Sequence, residues 1–143
     1  MTGLEPHVIQ NWVKRRFVSS PVKKMYNAQQ FARIVIINML RDSLQIDSIC
    51  SLLNVIGGDI DDPDDDLISD DELYHMYVDM ISTGTIVISD SKAVERAVRD
   101  AIGQYKFKIE GDRSKLENVL QVMLYAHSAS KLRDSAKEVL LRL

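Results

Sequence analysis

Cys50 is the only cysteine among 143 residues, so neither an internal disulfide nor a thiolate zinc cluster can form. It lies in the apolar stretch Ile49-Cys50-Ser51-Leu52-Leu53 and reads as a small buried hydrophobe. Glycine is also sparse, with six in the chain. No cluster of glycines precedes a lysine, which removes the phosphate-binding loop from consideration. The three histidines, His7, His75 and His127, are far apart and share no ligand spacing, so they suggest neither a zinc site nor a catalytic triad. The longest apolar run, Ile34-Val35-Ile36-Ile37, is far too short to cross a bilayer. Met1 leads into a polar, acid-containing stretch rather than a basic and then apolar one, so a cytoplasmic location is expected. These absences predict a non-enzymatic protein with no cofactor, no metal and no membrane association.

What is present is charge, unevenly placed. The net charge of -3 conceals a basic opening and an acidic middle. Residues 1–55 carry Lys14, Arg15, Arg16, Lys23, Lys24, Arg33 and Arg41 against Glu5, Asp42 and Asp47. Residues 56–80 carry acids and no base, and residues 81–143 mix both signs. The Asp59-Ile-Asp-Asp-Pro-Asp-Asp-Asp66 run cannot be buried and reads as a linker. As a calcium loop it fails, because the frames place Pro63, Asp64 or Leu67 where the ligand and glycine positions fall.

The periodicity is helical throughout, so the fold class is mainly α. Val8, Ile9, Trp12, Val13 and Phe17 give one apolar side to a first helix over about 5–15, with Pro6 suited to its first turn and Trp12 directed mainly into the core. Asn27 and Gln30 are spaced as a capping box for a second helix, apolar on nearly all sides and therefore central. Phe31 belongs to its apolar set. Asp47 is placed to cap a third helix that ends at Gly57-Gly58. A fourth fits residues 70–82, and Asp90 or Ser91 opens a fifth. Thr85–Ile88 and Lys106–Ile109 are expected to be extended, and residues 114–143 to form one long helix or two, weakest at Ser128–Ser130. The predicted organisation is a head over 1–57, an acidic loop over 58–72 and a helical part over 73–143.

Helix, basic turn, helix is an arrangement that presents cations to nucleic acid. Duplex binding needs positive charge matched to phosphates, together with side chains that enter a groove. The candidate contacts are Gln10 and Asn11 for base edges, with Lys14, Arg15, Arg16, Lys23 and Lys24 for phosphate. His7 is a further candidate on the first helix.

The segment Thr2-Gly3-Leu4-Glu5-Pro6-His7-Val8-Ile9-Gln10-Asn11-Trp12, followed by Tyr26-Asn27-Ala28-Gln29-Gln30-Phe31, resembles the winged helix-turn-helix head of MerR-like regulators. It is more closely similar to DUF1836, a bacterial family of uncharacterised proteins, over roughly residues 5–80, including Ile46-Asp47-Ser48-Ile49-Cys50-Ser51-Leu52-Leu53. The resemblance implies an incomplete winged head packed with additional C-terminal helices. It places Gln10, Asn11, Lys14, Arg15 and Arg16 on or just after a recognition helix, and Lys23 and Lys24 in the wing. The function it implies is a DNA-binding transcriptional regulator with duplex DNA as partner and a homodimer as its form. The alternative is a protein-interaction module that keeps a degenerate winged fold without binding DNA.

Overall fold

The computed structural model describes residues 5–57, 66–82 and 90–143. Among them the protein is mainly helical: α1 (Pro6–Lys14), α2 (Ala28–Leu40), α3 (Ile46–Gly57), α4 (Asp70–Ser82), α5 (Ser91–Ile102) and α6 (Asp112–Leu141). The most extensive helix pairing is α2 on α4, and α6 packs against α2, α3, α4 and α5. The aspartate run up to residue 65 and the Thr85–Ile88 segment lie outside the described residues.

Local chemistry sets several helix starts. Pro6 sits in the first turn of α1, where its missing N–H costs nothing. The Asn27 side chain accepts from the Gln30 backbone N–H at 2.8 Å, and the Gln30 side chain accepts from the Asn27 N–H at 2.8 Å. This is the full reciprocal capping box. Asp90 caps α5 by accepting from the N–H groups of Lys92 and Ala93. At α3 the expectation differs from the structure. Asp47 lies inside the first turn, where its charge still suits the free amides, and the helix opens with Ile49 N–H donating to Gln45.

A single hydrophobic cluster runs through the molecule. It joins Trp12 and Val18 of the opening segment, Ile36, Ile37 and Leu40 of α2, Leu53 and Ile56 of α3, Leu73 and Tyr77 of α4, Val98 of α5, and Leu120 and Leu124 of α6. Helix α2 is the central element, as its pattern predicts, and Trp12 is buried. Phe31 does not join the core and is mainly exposed. At 100° per residue it falls opposite the Arg33–Ile37–Leu40 side of α2.

One further expectation changes. Residues 106–109 form no strand, and the chain bends at Lys108 and Ile109. No strand is described for this piece to pair with, and an unpaired extended segment has nothing to hold it. Tyr105 and Phe107 instead meet edge to face, with ring centroids 5.0 Å apart. Of the two alternatives for the last stretch, one long helix or two, the structure has one, continuous across Ser128–Ser130. Ser43 secures that stretch, its hydroxyl donating to the Ala126 carbonyl at 2.9 Å and lying 2.7 Å from the Ser130 hydroxyl.

Candidate nucleic-acid interface

His7, Gln10, Asn11 and Lys14 recur at intervals of three and four along α1 and are all exposed. Val8, Ile9, Trp12 and Val13 occupy the other side and pack on the core. The nine-residue helix thus has a polar outward face rich in side-chain amides.

The end of α1 is a Schellman motif. Phe17 N–H donates to the Trp12 carbonyl at 2.8 Å, and Arg16 N–H donates to the Val13 carbonyl at 3.0 Å. Arg16 occupies the left-handed position of that motif, with φ 63°, where glycine is the usual residue. Arg15 lies with its guanidinium carbon 4.5 Å from the Phe17 ring centroid and its Nη2 3.5 Å from an Asp47 carboxylate oxygen. Both members of that ion pair are largely exposed, so the pair contributes little stability and only partly offsets the Arg15 charge.

After the motif the chain makes a two-residue hairpin. Val22 and Met25 exchange both backbone hydrogen bonds, at 3.0 and 2.9 Å, in an antiparallel bridge. Lys23 and Lys24 form the turn between them, with φ of 51° and 64°. Positive φ at both central residues is the signature of a type I′ turn, which ordinarily takes Asn-Gly. Both lysines are exposed.

Two buried polar side chains of α2 fix the segment between α1 and the hairpin. Gln30, only 8% exposed, donates to the Ser20 carbonyl at 2.8 Å and the Ser19 hydroxyl at 2.9 Å. Arg33, 7% exposed, donates through Nε to the Phe17 carbonyl at 2.6 Å. Helix and hairpin consequently share a cleft of about 460 Å³ lined by Gln10, Val13, Pro21, Lys24 and Tyr26.

The residues singled out from the sequence therefore divide by element. Gln10, Asn11 and Lys14 lie on the open face of α1, Arg15 and Arg16 at its C-terminal end, and Lys23 and Lys24 at the hairpin tip. Gln10 and Lys24 come together at the cleft. Sequence reasoning missed the roles of Gln30 and Arg33 as ties. The capping spacing identified Gln30, but its second set of bonds, to a segment ten residues away, has no local signature. It also missed the exposed apolar trio Val22, Met25 and Phe31 beside the cations.

Arg33 does not belong to the basic surface. Its guanidinium lies 3.6 Å from Asp70 in a buried pair. Burial pushes the Asp70 carboxyl above its usual range, against the opposing pull of Arg33. Burial also raises the Cys50 thiol, consistent with a packing role. Among the described residues no three His, Cys, Asp or Glu side chains gather to hold a metal ion, and no helix is long and apolar enough to cross a membrane.

No curated protein and no solved structure matches the chain. A family model does match, described as a domain of unknown function, DUF1836, over residues 2–77. That stretch holds α1, the hairpin, α2, α3 and most of α4, which is more than half of the chain, and the protein belongs to the DUF1836 family.

Proposed function

We propose that the protein is a DNA-binding regulator in which α1 enters the major groove and the Val22–Met25 hairpin acts as a small wing on the flanking backbone. The observation that carries this reading is the placement of Arg16, Lys23 and Lys24. All three occupy left-handed backbone that glycine or asparagine adopts at lower cost. Side chains kept on costly backbone at the surface are better explained by what they touch than by what they stabilise.

The geometry supports it at two further points. A helix is about 10–12 Å wide with its side chains, matching a major groove roughly 12 Å wide. The outward face of α1 carries Gln10 and Asn11, whose amides can bond adenine edges in two places at once. Lys14, Arg15 and Arg16 at one end and Lys23 and Lys24 beside it are positioned for phosphates on either side. The MerR-like arrangement of recognition helix and wing belongs to this proposal.

The test is retention on duplex DNA across a salt series. The wild-type chain is expected to show a steep fall of log K with log salt. Arg15→Ala combined with Arg16→Gly should weaken binding and flatten that slope by about 1.8, roughly 0.9 for each phosphate no longer neutralised. Glycine at position 16 keeps the helix end intact. Weak binding that the double variant leaves unchanged would overturn the proposal.

A second reading rests on Val22, Met25 and Phe31, which are exposed around the hairpin. An apolar trio among cations also suits a protein partner, with nucleic-acid binding absent. Under that reading retention on duplex is weak and insensitive to the two arginines, whereas Met25→Ser abolishes capture of the partner.

A further inference from the structure

Helix α6 has two apolar faces, and the described residues of its own chain cover one of them. The inner face, with Leu116, Leu120, Met123 and Leu124, is fully buried. On the other side Val122, Tyr125, Ala129, Leu132, Ala136 and Val139 recur at alternating steps of three and four. At 3.6 residues per turn, that stripe is centred roughly 180° from the inner face. Every member is exposed, Val122 and Tyr125 at 38%, Leu132 at 59% and Val139 at 50%. No charged residue interrupts the stripe, although Lys131, Arg133, Asp134, Lys137 and Glu138 surround it. From residue 131 onward every side chain is exposed, and Arg133, which donates to the Asp42 carbonyl at 2.6 Å, ties these last turns of α6 to the body without covering their apolar side chains. Two to three turns of helix are marginal in water on their own. Alternating three- and four-residue spacing is the seam of a two-stranded coiled coil.

We infer that this stripe pairs with the same stripe of a second copy, antiparallel, with Ala129 of one chain facing Leu132 of the other. The order of side-chain sizes selects both the partner and the direction. In a parallel, in-register pair, Ala129 would face Ala129 and Ala136 would face Ala136, leaving two thin layers. In the antiparallel pairing Ala129 meets Leu132, Ala136 meets Tyr125 and Val122 meets Val139, so each alanine receives a large side chain. The flanks agree with this register. Arg133 falls beside Ala126 of the second copy, Arg142 beside Gln121, and Ser128 beside Ser135, so no like charges oppose each other. Antiparallel helix dipoles add to the preference. The stripe is about 27 Å long and one helix wide, and with both copies counted it buries on the order of 1,000 Å², the lower bound for a specific interface. The cationic head takes no part in this interface, which is therefore tested apart from DNA binding.

Sedimentation equilibrium of the full chain without nucleic acid tests it. A dimer is expected at micromolar concentration. Leu132→Glu, which sets a carboxylate against Ala129 of the second copy, should convert it to monomer, while Leu132→Met should not. Unchanged emission from Trp12, which is buried in the body, reports that the fold is kept in both variants. Spin labels at position 138, placed in a Cys50→Ala background, should lie more than about 20 Å apart, since that position is some seven residues from the two-fold centre. A wild-type chain that stays monomeric at high micromolar concentration overturns the interface, as does a Leu132→Glu variant that remains dimeric. Labels found in near contact overturn the antiparallel direction.

Discussion

Arg33 is one of seven basic residues in the opening 55 and the one the fold removes from the surface. A guanidinium is buried only when its donors are met, and here a carbonyl and a carboxylate meet them. The partners are unequal. The Asp70 carboxyl has a raised pKa because burial outweighs the attraction of Arg33. A carboxyl whose folded pKa exceeds its unfolded one contributes stability below about pH 3.8, and that contribution is lost as pH rises through the folded value. At neutral pH, then, charged Asp70 is a cost that Arg33 limits. Asp70→Asn should cost less at pH 7 than loss of Arg33 does, because the buried guanidinium it leaves keeps the Phe17 carbonyl as acceptor and the carboxylate's own desolvation is removed. Arg33→Met should cost about 3–5 kcal/mol there, since it strands a buried carboxylate and leaves the Phe17 carbonyl without this donor. The loss in Arg33→Met should shrink near pH 4 as Asp70 takes up a proton. Urea unfolding at the two pH values checks this, and equal losses in the two variants would contradict it.

At the scale of elements, the hairpin sets stability against binding. A left-handed conformation costs an L-residue other than Asn or Gly about 1–2 kcal/mol, and Lys23 and Lys24 both adopt it. Lys23→Asn with Lys24→Gly supplies the favoured type I′ pair. The variant should melt roughly 2–6 °C higher and bind duplex DNA more weakly, with a shallower salt dependence. Thermal unfolding and the salt series read the two effects separately. A lower melting temperature would refute the backbone account, and unchanged retention would take the hairpin out of the interface. The elements legible in the sequence were those fixed by neighbours in the chain: Pro6 at the start of α1, the Asn27–Gln30 box, the Asp90 cap and the all-round apolar pattern of α2. The charges of the candidate site were legible for the same reason. The turn geometry under them was not, because arginine and lysine carry no preference for positive φ. The choice between one helix and two at Ser128–Ser130 was likewise left open, since Ser43, more than eighty residues away, secures the stretch.

At the scale of the molecule, the family match and the core do not end together. The matched stretch closes at residue 77, inside α4, whereas the cluster that buries Trp12, Ile37 and Leu53 also includes Val98, Leu120 and Leu124. Helix α6 packs against α2, α3 and α4, and α5 packs against α4. Removing α5 and α6 exposes the sides of α2, α3 and α4 that they cover. Three short helices and α1 then hold a core with one flank open to water, and a chain of that size has little stability to spare. A fragment of residues 1–82 should therefore keep helical far-UV dichroism while losing fixed packing: no cooperative urea transition, weak near-UV dichroism, and Trp12 emission shifted toward that of solvent-exposed indole. The full chain should unfold in one cooperative step. Cooperative unfolding of the fragment with native-like Trp12 emission would show that the head folds by itself. If the fragment behaves as expected, α5 and α6 are what hold α1 and the hairpin in a fixed relation. Any duplex binding by the head then depends on residues well beyond the stretch that identifies the family.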